Sequence, residues 1–393
     1  MKQIAAAIEI GTGKLVCMIA QSGAADGFNL LGTAVTAYSG YNKKGWIEPK
    51  ELRYAFGSVI SEAEKQAGQK IRYVHVGVPA DFTEVVCRKV SLNFNKNKRI
   101  SQEDIDLLFK RGENFSLLRS CLIAHRCPIQ FTIDGERRTM NPIGVYASEI
   151  EATVSYVLVD KAFAQSVSSL LDSLGYQVDT FISPTLAQAL AFIPEDMRDR
   201  TAVLVDIGYR STAITVLKGD GILYHKTVPV GGAHITRDLA ITMHIEDDIA
   251  QQLKHRTIYG LSIGKDDKYE IMMKETYKIL RFPAARVHEI VNARVEEICQ
   301  VIKRTLQNCG CILPEYVSIY LTGGTSNMRG IREFAQKEIG RSVTLIQPKA
   351  TKMNKPEFSA ALGTIDYASE SVSEEEPTLW EHIKMIFKGS NNS

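Results

Sequence analysis

A chain of 393 residues exceeds what one hydrophobic core usually serves, so two domains are expected. Its 45% hydrophobic and 23% charged content is that of an ordinary globular protein. Lys and Arg total 47 against 45 acids, and the resulting net charge of +2 excludes a global pull toward nucleic acid or anionic membrane. No run approaches the roughly 20 apolar residues that cross a bilayer. The N-terminus reaches Glu9 and a glycine turn soon after Lys2, which reads as a strand and not a secretory signal.

In chain order, the apolar run Ala6-Ala7-Ile8 meets an acid and a turn, Glu9-Ile10-Gly11-Thr12-Gly13-Lys14. Residues 15–20 and 30–37 read as further strands. Past Pro49, the residues Leu52, Ala55, Phe56, Val59, Ile60 and Ala63 recur at helical spacing, and 73–78 is a buried strand. From Asp81 to about Tyr156 the pattern changes to a small α+β insertion. In it, 84–90 alternates as a strand and 93–99 reads as a polar, basic turn. Ser101-Gln102-Glu103-Asp104 starts a helix, and strands follow near 129–133 and 150–158. Arg88, Lys89, Lys96, Lys98 and Arg99 read as a solvated edge; without interleaved aromatics to stack on bases, nucleic acid is not an expected partner.

A helix over 161–174 leads to Ser183-Pro184-Thr185 and an alanine-rich helix. The second half repeats the opening theme with Val203-Leu204-Val205-Asp206-Ile207-Gly208, followed by Tyr209, Arg210, Ser211 and Thr212. Gly231-Gly232, helices over 235–255 and a long helix over 283–309 come next. A third buried strand opens into a double-glycine loop, Leu321-Thr322-Gly323-Gly324-Thr325. A strand ending in a carboxylate and a glycine turn can bring backbone N–H groups and a metal-orienting acid to a phosphate chain. Its occurrence in each half predicts a duplicated fold with a ligand held between the halves.

Seven cysteines, at 17, 87, 121, 127, 299, 309 and 311, read as reduced thiols. Cys309-Gly310-Cys311 is too isolated from other ligand types to argue for zinc, and the eight histidines form no HExxH cluster.

The two acid-glycine turns and the loop Leu321-Thr322-Gly323-Gly324-Thr325-Ser326-Asn327-Met328 resemble those of the actin-like ATPase superfamily. Segments 183–189 and 360–363 are similar to its paired crossing helices. Within that superfamily the chain resembles the FtsA family, on the insertion after Asp81, Asn141-Pro142-Ile143-Gly144 within it, and the helix beginning near Gly232. The resemblance implies an α/β, actin-like ATPase fold of two duplicated lobes flanking a nucleotide cleft, with ATP and Mg2+ as cofactors. It implies Glu9 and Asp206 at the metal. Gly11, Thr12, Gly13, Lys14, Gly208, Arg210, Ser211 and Thr212 fall at the phosphates. Gly232, Gln251, Lys254, Gly323, Gly324, Thr325 and Met328 fall toward the adenosine. The family pattern is departed from at three places: Glu9 for aspartate, Tyr209-Arg210-Ser211 for Gly-Gly-Thr, and Gln251 for a carboxylate. Weak or absent hydrolysis is expected, and no catalytic base is assigned.

The implied division is lobe I over 1–80 and 157–183, the insertion over 81–156, lobe II over 184–350 and a return helix over 351–368. An acidic linker over 369–377 precedes an amphipathic helix over 378–388. That helix starts with a capping box at Thr378 and Glu381, and Leu379, Trp380, Ile383, Ile386 and Phe387 form one apolar stripe. It reads as an in-plane membrane foot, with docking on its own core or on a partner groove as alternatives. The family resemblance implies self-association into polymers and recruitment of FtsZ at the division site, on the cytoplasmic side of the membrane. A PilM-like scaffold of a pilus or secretion machine, a small-molecule kinase and a paralogue without turnover are the rival readings.

Overall fold

A computed structural model describes residues 4–23, 27–42, 45–273, 277–350 and 353–373. The chain divides into two compact units. The first runs to Arg200 and takes in Leu217–Leu223 and the chain from Ala360; the second is Thr201–Val216 with Tyr224–Ser359.

In the first unit, β1 (Ile4–Ile10), β2 (Lys14–Ser22) and β3 (Phe28–Ala37) form an antiparallel meander, followed by the short pair β4 (Tyr41–Asn42) and β5 (Gly45–Trp46). Helix α1 (Pro49–Ala67) begins on a proline, which suits the first helical position, and ends at Gly68 with φ 68°. Its stripe of Leu52, Ala55, Phe56, Val59, Ile60 and Ala63 is buried against the sheet, each large side chain contributing about 1.5–3 kcal/mol. Strands β6 (Tyr73–Gly77) and, after the insertion, β11 (Gln177–Ile182) complete the order β11-β6-β1-β2-β3, with β1, β6 and β11 parallel.

The insertion consists of β7 (Thr83–Arg99), α2 (Gln102–Arg111), β8 (Cys121–Ile133), β9 (Arg137–Thr139) and β10 (Tyr146–Asp160), in sheet order β7-β10-β8-β9. It has its own core, in which Leu108, Phe131, Ile150 and Tyr156 are buried. Ser101 caps α2 through the expected capping box with Asp104. The expected turn at 93–99 is corrected: β7 continues through it, pairing Lys98 with Ala147 and Arg99 with Tyr146 after an irregularity between the Asn93–Glu149 and Lys98–Ala147 pairs. Its charged side chains face solvent along an edge strand, where lysine and arginine are tolerated.

Helix α3 (Lys161–Ser173) leads into β11, and α4 (Pro184–Phe192) and α5 (Glu195–Arg200) close this part of the unit. The boundary falls after Arg200 and not at 184, because α4 and α5 are tied to the first unit. Buried His125 on β8 accepts from the Ser183 amide at 2.8 Å through Nε2, and Nδ1 lies 3.2 Å from the Tyr367 hydroxyl. Burial holds that imidazole down at about 3. Arg198 of α5 pairs with Asp220 at 2.9 Å.

The second unit's sheet is built from β12 (Ala202–Ile207), β13 (Thr212–Lys218), β14 (Gly221–Val228), β17 (Ile319–Thr322) and β18 (Val343–Leu345), in the order β14-β13-β12-β17-β18. This repeats the first sheet: the opening strand is central, the next two lie on one side and the last two lie parallel on the other. The expected duplication is therefore realised in topology. Around it run α6 (Gly232–Met243), α7 (Asp247–Arg256), the hairpin β15 (Lys268–Met272) and β16 (Ile279–Pro283), α8 (Ala284–Gln307) and α9 (Ile331–Ile339). His244, at φ 54°, separates α6 from α7.

Helix α10 (Ser359–Ser373) returns to the first unit, where Gly363 lies so close to α4 that an added Cβ would stand 2.7 Å from the Gln188 nitrogen. The expected linker from 369 is corrected for its first part, since α10 continues to Ser373 and Ser369 is 5% exposed. The rest of that linker and the helix expected over 378–388, with Leu379, Trp380, Ile383, Ile386 and Phe387, lie outside the described residues. Among the described residues no helix is long and apolar enough to cross a membrane.

Candidate functional site

The first turn joins β1 to β2. The Gly11 amide donates to the Lys14 carbonyl at 2.9 Å, and the Tyr38 hydroxyl donates to the Gly11 carbonyl at 2.8 Å. Glu9, at the end of β1, lays its carboxylate over the turn. A Cβ on Gly11 would lie 3.7 and 3.8 Å from its two oxygens. Thr12 and Gly13 fill the turn and Lys14 opens β2, all half-buried. Tyr38 was not singled out from sequence; nothing local to it signals that its hydroxyl closes a turn 27 residues away.

The second turn, between β12 and β13, has the same geometry. The Gly208 amide donates to the Ser211 carbonyl at 2.9 Å. Two other segments then close on it. The Gly232 amide, at the start of α6, donates to the Gly208 carbonyl at 2.9 Å, and the Thr325 hydroxyl reaches the same oxygen at 3.4 Å. A Cβ on Gly231 would lie 2.6 Å from the Gly208 oxygen, and one on Gly232 would lie 2.7 Å from Thr325 Oγ1. Gly323 stands at φ 90°, where a Cβ would overlap Asp206 Oδ1 and lie 2.6 Å from the Ile207 oxygen. Glycine is thus required where two other backbone segments close on the Asp206–Gly208 turn.

Lys254 on α7 is 5% exposed and donates to Gly232 O at 3.2 Å, Thr236 Oγ1 at 3.0 Å and Gln251 Oε1 at 2.7 Å. Thr236 Oγ1 also donates to Gln251 Oε1 at 2.6 Å. Burial pulls the Lys254 ammonium down to about 8. With an amide at 251, this lysine is held by neutral acceptors, and desolvation goes unanswered by a carboxylate there. Thr236 was missed from sequence, since a helical threonine carries no signal of its own.

Not every expected contact faces an opening. Thr212 is corrected as a phosphate ligand: it is fully buried and gives its hydroxyl to the Val230 carbonyl at 2.7 Å. Met328 is 5% exposed, with its sulfur 3.9 Å from the buried Tyr259 hydroxyl. Arg210 stacks over Tyr209, its guanidinium carbon 5.8 Å from the ring centroid. Gly324 differs from its neighbour: the one atom within 4 Å of its would-be Cβ is Glu357 Cβ at 3.9 Å. Among the described residues nothing demands glycine there. These features fit a phosphorylated nucleoside. Among the described residues no group of three or more His, Cys, Asp or Glu stands ready to hold a metal on its own.

Comparison with known proteins decides the family. The family model "Cell division protein FtsA" matches residues 203–363, and "SHS2 domain inserted in FTSA" matches 83–158. The chain belongs to the FtsA family. The second match coincides with the insertion, whose bounds were expected at 81–156. Among FtsA relatives, that of Bacillus subtilis (strain 168) is 23% identical over 365 residues, covering 92% of this chain and 82% of that protein. The FtsA of Escherichia coli (strain K12) is 23% identical over 388 residues, covering 94% and 91%. In fold, the chain is similar to a PilM-PilN type IV pilus biogenesis complex, with TM-score 0.63 and 18% identity over 96% of this chain and 99% of that one. It is also similar to MreB 5 of Spiroplasma citri bound to AMPPNP, with TM-score 0.57 and 9% identity over 99% of both chains. FtsA membership thus comes with a two-lobed, actin-like fold.

Proposed function

We propose that this FtsA-family chain acts in cell division by binding ATP with Mg2+, self-associating, and linking an FtsZ ring to the inner face of the membrane. The observation that carries the nucleotide reading is the closure of Gly231 and Gly232 on the Gly208 turn and of Gly323 on Asp206, with a like turn at Gly11 beside Glu9. In this reading, backbone of the Gly11–Gly13 and Gly208–Ser211 turns receives phosphate oxygens, with Lys14 and Arg210 supplying charge. Gly324 leaves room for the adenosine side, near Lys254 and Gln251. Mg2+ neutralises phosphate charge and keeps several waters, so Glu9 and Asp206 serve as orienting carboxylates and not as a closed cage.

Turnover is weak or absent in this account. Glu9 carries its carboxylate one methylene further than aspartate would, and Tyr209 with Arg210 occupies a turn where glycine allows closest approach. No residue is assigned as a general base.

Attachment to lipid rests on the stripe of Leu379, Trp380, Ile383, Ile386 and Phe387. One short apolar stripe binds marginally alone, and a polymer multiplies it through effective concentration. The FtsA matches over both the second unit and the insertion favour this reading over a PilM-like scaffold, since the likeness to PilM speaks for fold alone. Co-sedimentation with liposomes tests it, comparing the full chain with one ending at Pro377, with and without ATP. Pelleting of the full chain alone, strengthened by ATP, is expected; equal pelleting of both chains would remove the tether.

A further inference from the structure

The end of α8 carries chemistry that nucleotide binding does not use. All seven cysteines are free thiols. Four are buried: Cys17, Cys127 and Cys299 are pushed up to about 12 and Cys121 is raised, each chiefly by desolvation, while Cys87 lies exposed on β7 with no second cysteine beside it in sequence. Cys309 and Cys311 are different, since both are only half-buried and a single residue separates them.

Helix α8 ends at Gln307, and Gly310 at φ 72° reverses the chain just beyond it. The reversal lets the Cys311 amide donate to Cys309 Sγ at 3.4 Å, and it sets Cys311 Sγ 3.8 Å from the Cys309 carbonyl. Both sulfurs therefore lie against one tight glycine turn. Cys309 Sγ also donates to the Leu306 carbonyl at 3.0 Å, so the end of α8 and the glycine turn together hold this sulfur in place beside Cys311. Beside the turn lies a surface groove of ≈ 700 Å³, lined among others by Lys303, Leu306, Gln307, Cys311, Glu315 and Arg341. Arg341 braces one wall by donating to the Pro314 and Leu313 carbonyls at 2.6 and 3.1 Å. The groove offers a thiol, two cations, an amide and a carboxylate. That set suits a small peptide-like molecule with carboxylates and an amine.

We propose that Cys309 and Cys311 form a reversible dithiol–disulfide couple whose exchange partner is a low-molecular-weight, zwitterionic peptide disulfide seated in this groove. Cys311, which faces the groove, attacks one sulfur of the small disulfide as thiolate. A mixed disulfide forms and one small thiolate leaves. Cys309 then attacks the Cys311 sulfur, forming the protein S–S bond and releasing the second small thiolate. The two protein protons pass to the two leaving thiolates, and two electrons pass from the protein to the small disulfide. A ring closed over one residue is strained, and strained disulfides are the labile ones, so excess small thiol reverses the reaction. Gly310 is the residue type that tolerates such a closure.

The test uses the full, natively folded chain and oxidised glutathione as probe, followed by alkylation with N-ethylmaleimide and peptide mass spectrometry. In the reduced chain both Cys309 and Cys311 take the label. After oxidised glutathione, their peptide is expected to lose two hydrogens and both labels, and to regain them with dithiothreitol. Cys309→Ser is expected to stop at a glutathione adduct on Cys311. The proposal is overturned if both wild-type thiols stay fully alkylated after oxidised glutathione, or if both carry stable adducts without closing on each other. The wild-type readings decide it even where the variant fails to fold.

Discussion

The carboxylate of Asp206 occupies the space that a side chain on residue 323 would fill. Parallel pairing of β12 with β17 sets Asp206 opposite Thr322, and the next residue turns at φ 90° across the end of β12. Gly323→Ala must therefore displace an acid and a backbone carbonyl while holding a left-handed conformation. Overpacking costs about 1–3 kcal/mol and the left-handed backbone about 1–2 kcal/mol. A loss of roughly 2–5 kcal/mol in urea unfolding is expected, read as a lower midpoint at unchanged slope.

The buried Lys254 gives a pH signature whose sign can be worked out. Its ammonium titrates at 10.5 in an unperturbed chain and at about 8 in the fold. Between those values the unfolded chain binds more protons, so raising the pH from near 8 toward 10.5 favours the folded state through this group. Below that window both states hold the proton and the full penalty of the buried charge persists. Gln251→Glu would set a carboxylate against Nζ, raise the lysine and flatten the gain. Unfolding midpoints of the two proteins across that window check this; parallel slopes would count against it.

The crossing of α4 with α10 depends on Gly363. A Cβ there would stand 2.7 Å from Gln188 N and 2.8 Å from the Ala187 carbonyl carbon, both backbone atoms that cannot swing aside. Gly363→Ala is expected to cost about 1–3 kcal/mol, and Gly363→Val more. Equal thermal midpoints for wild type and both variants would show that the helices part freely.

The turns at Gly11 and Gly208 were legible because an apolar strand, an acid and glycine follow one another locally, and the repeat marked duplication. The insertion was legible because its helix begins on a capping box and its strands alternate. Residues 93–99 misled because lysine, arginine and asparagine look like a turn; their strand is imposed by β10, some fifty positions away. Residues 369–373 misled similarly, since serine and glutamate suggest a linker while Ala368 and Ser369 are buried. Thr212 looked like a phosphate ligand by its place in the pattern, but its hydroxyl is turned to Val230. Composition and local order reveal where a chain bends, and not which way a side chain at the bend points.

Nucleotide binding is the claim on which the cell-division account stands, and Gly324 gives its cleanest probe. Unlike Gly323, it has room for a methyl group, with Glu357 Cβ at 3.9 Å the one neighbour. Calorimetric titration of the full chain with ATP in Mg2+ is predicted to show one saturable site in the wild type. Gly324→Ala is predicted to keep wild-type stability and lose at least about tenfold in affinity, or about 1.4 kcal/mol. No heat of binding in the wild type, or undiminished affinity in the stably folded variant, would contradict the account.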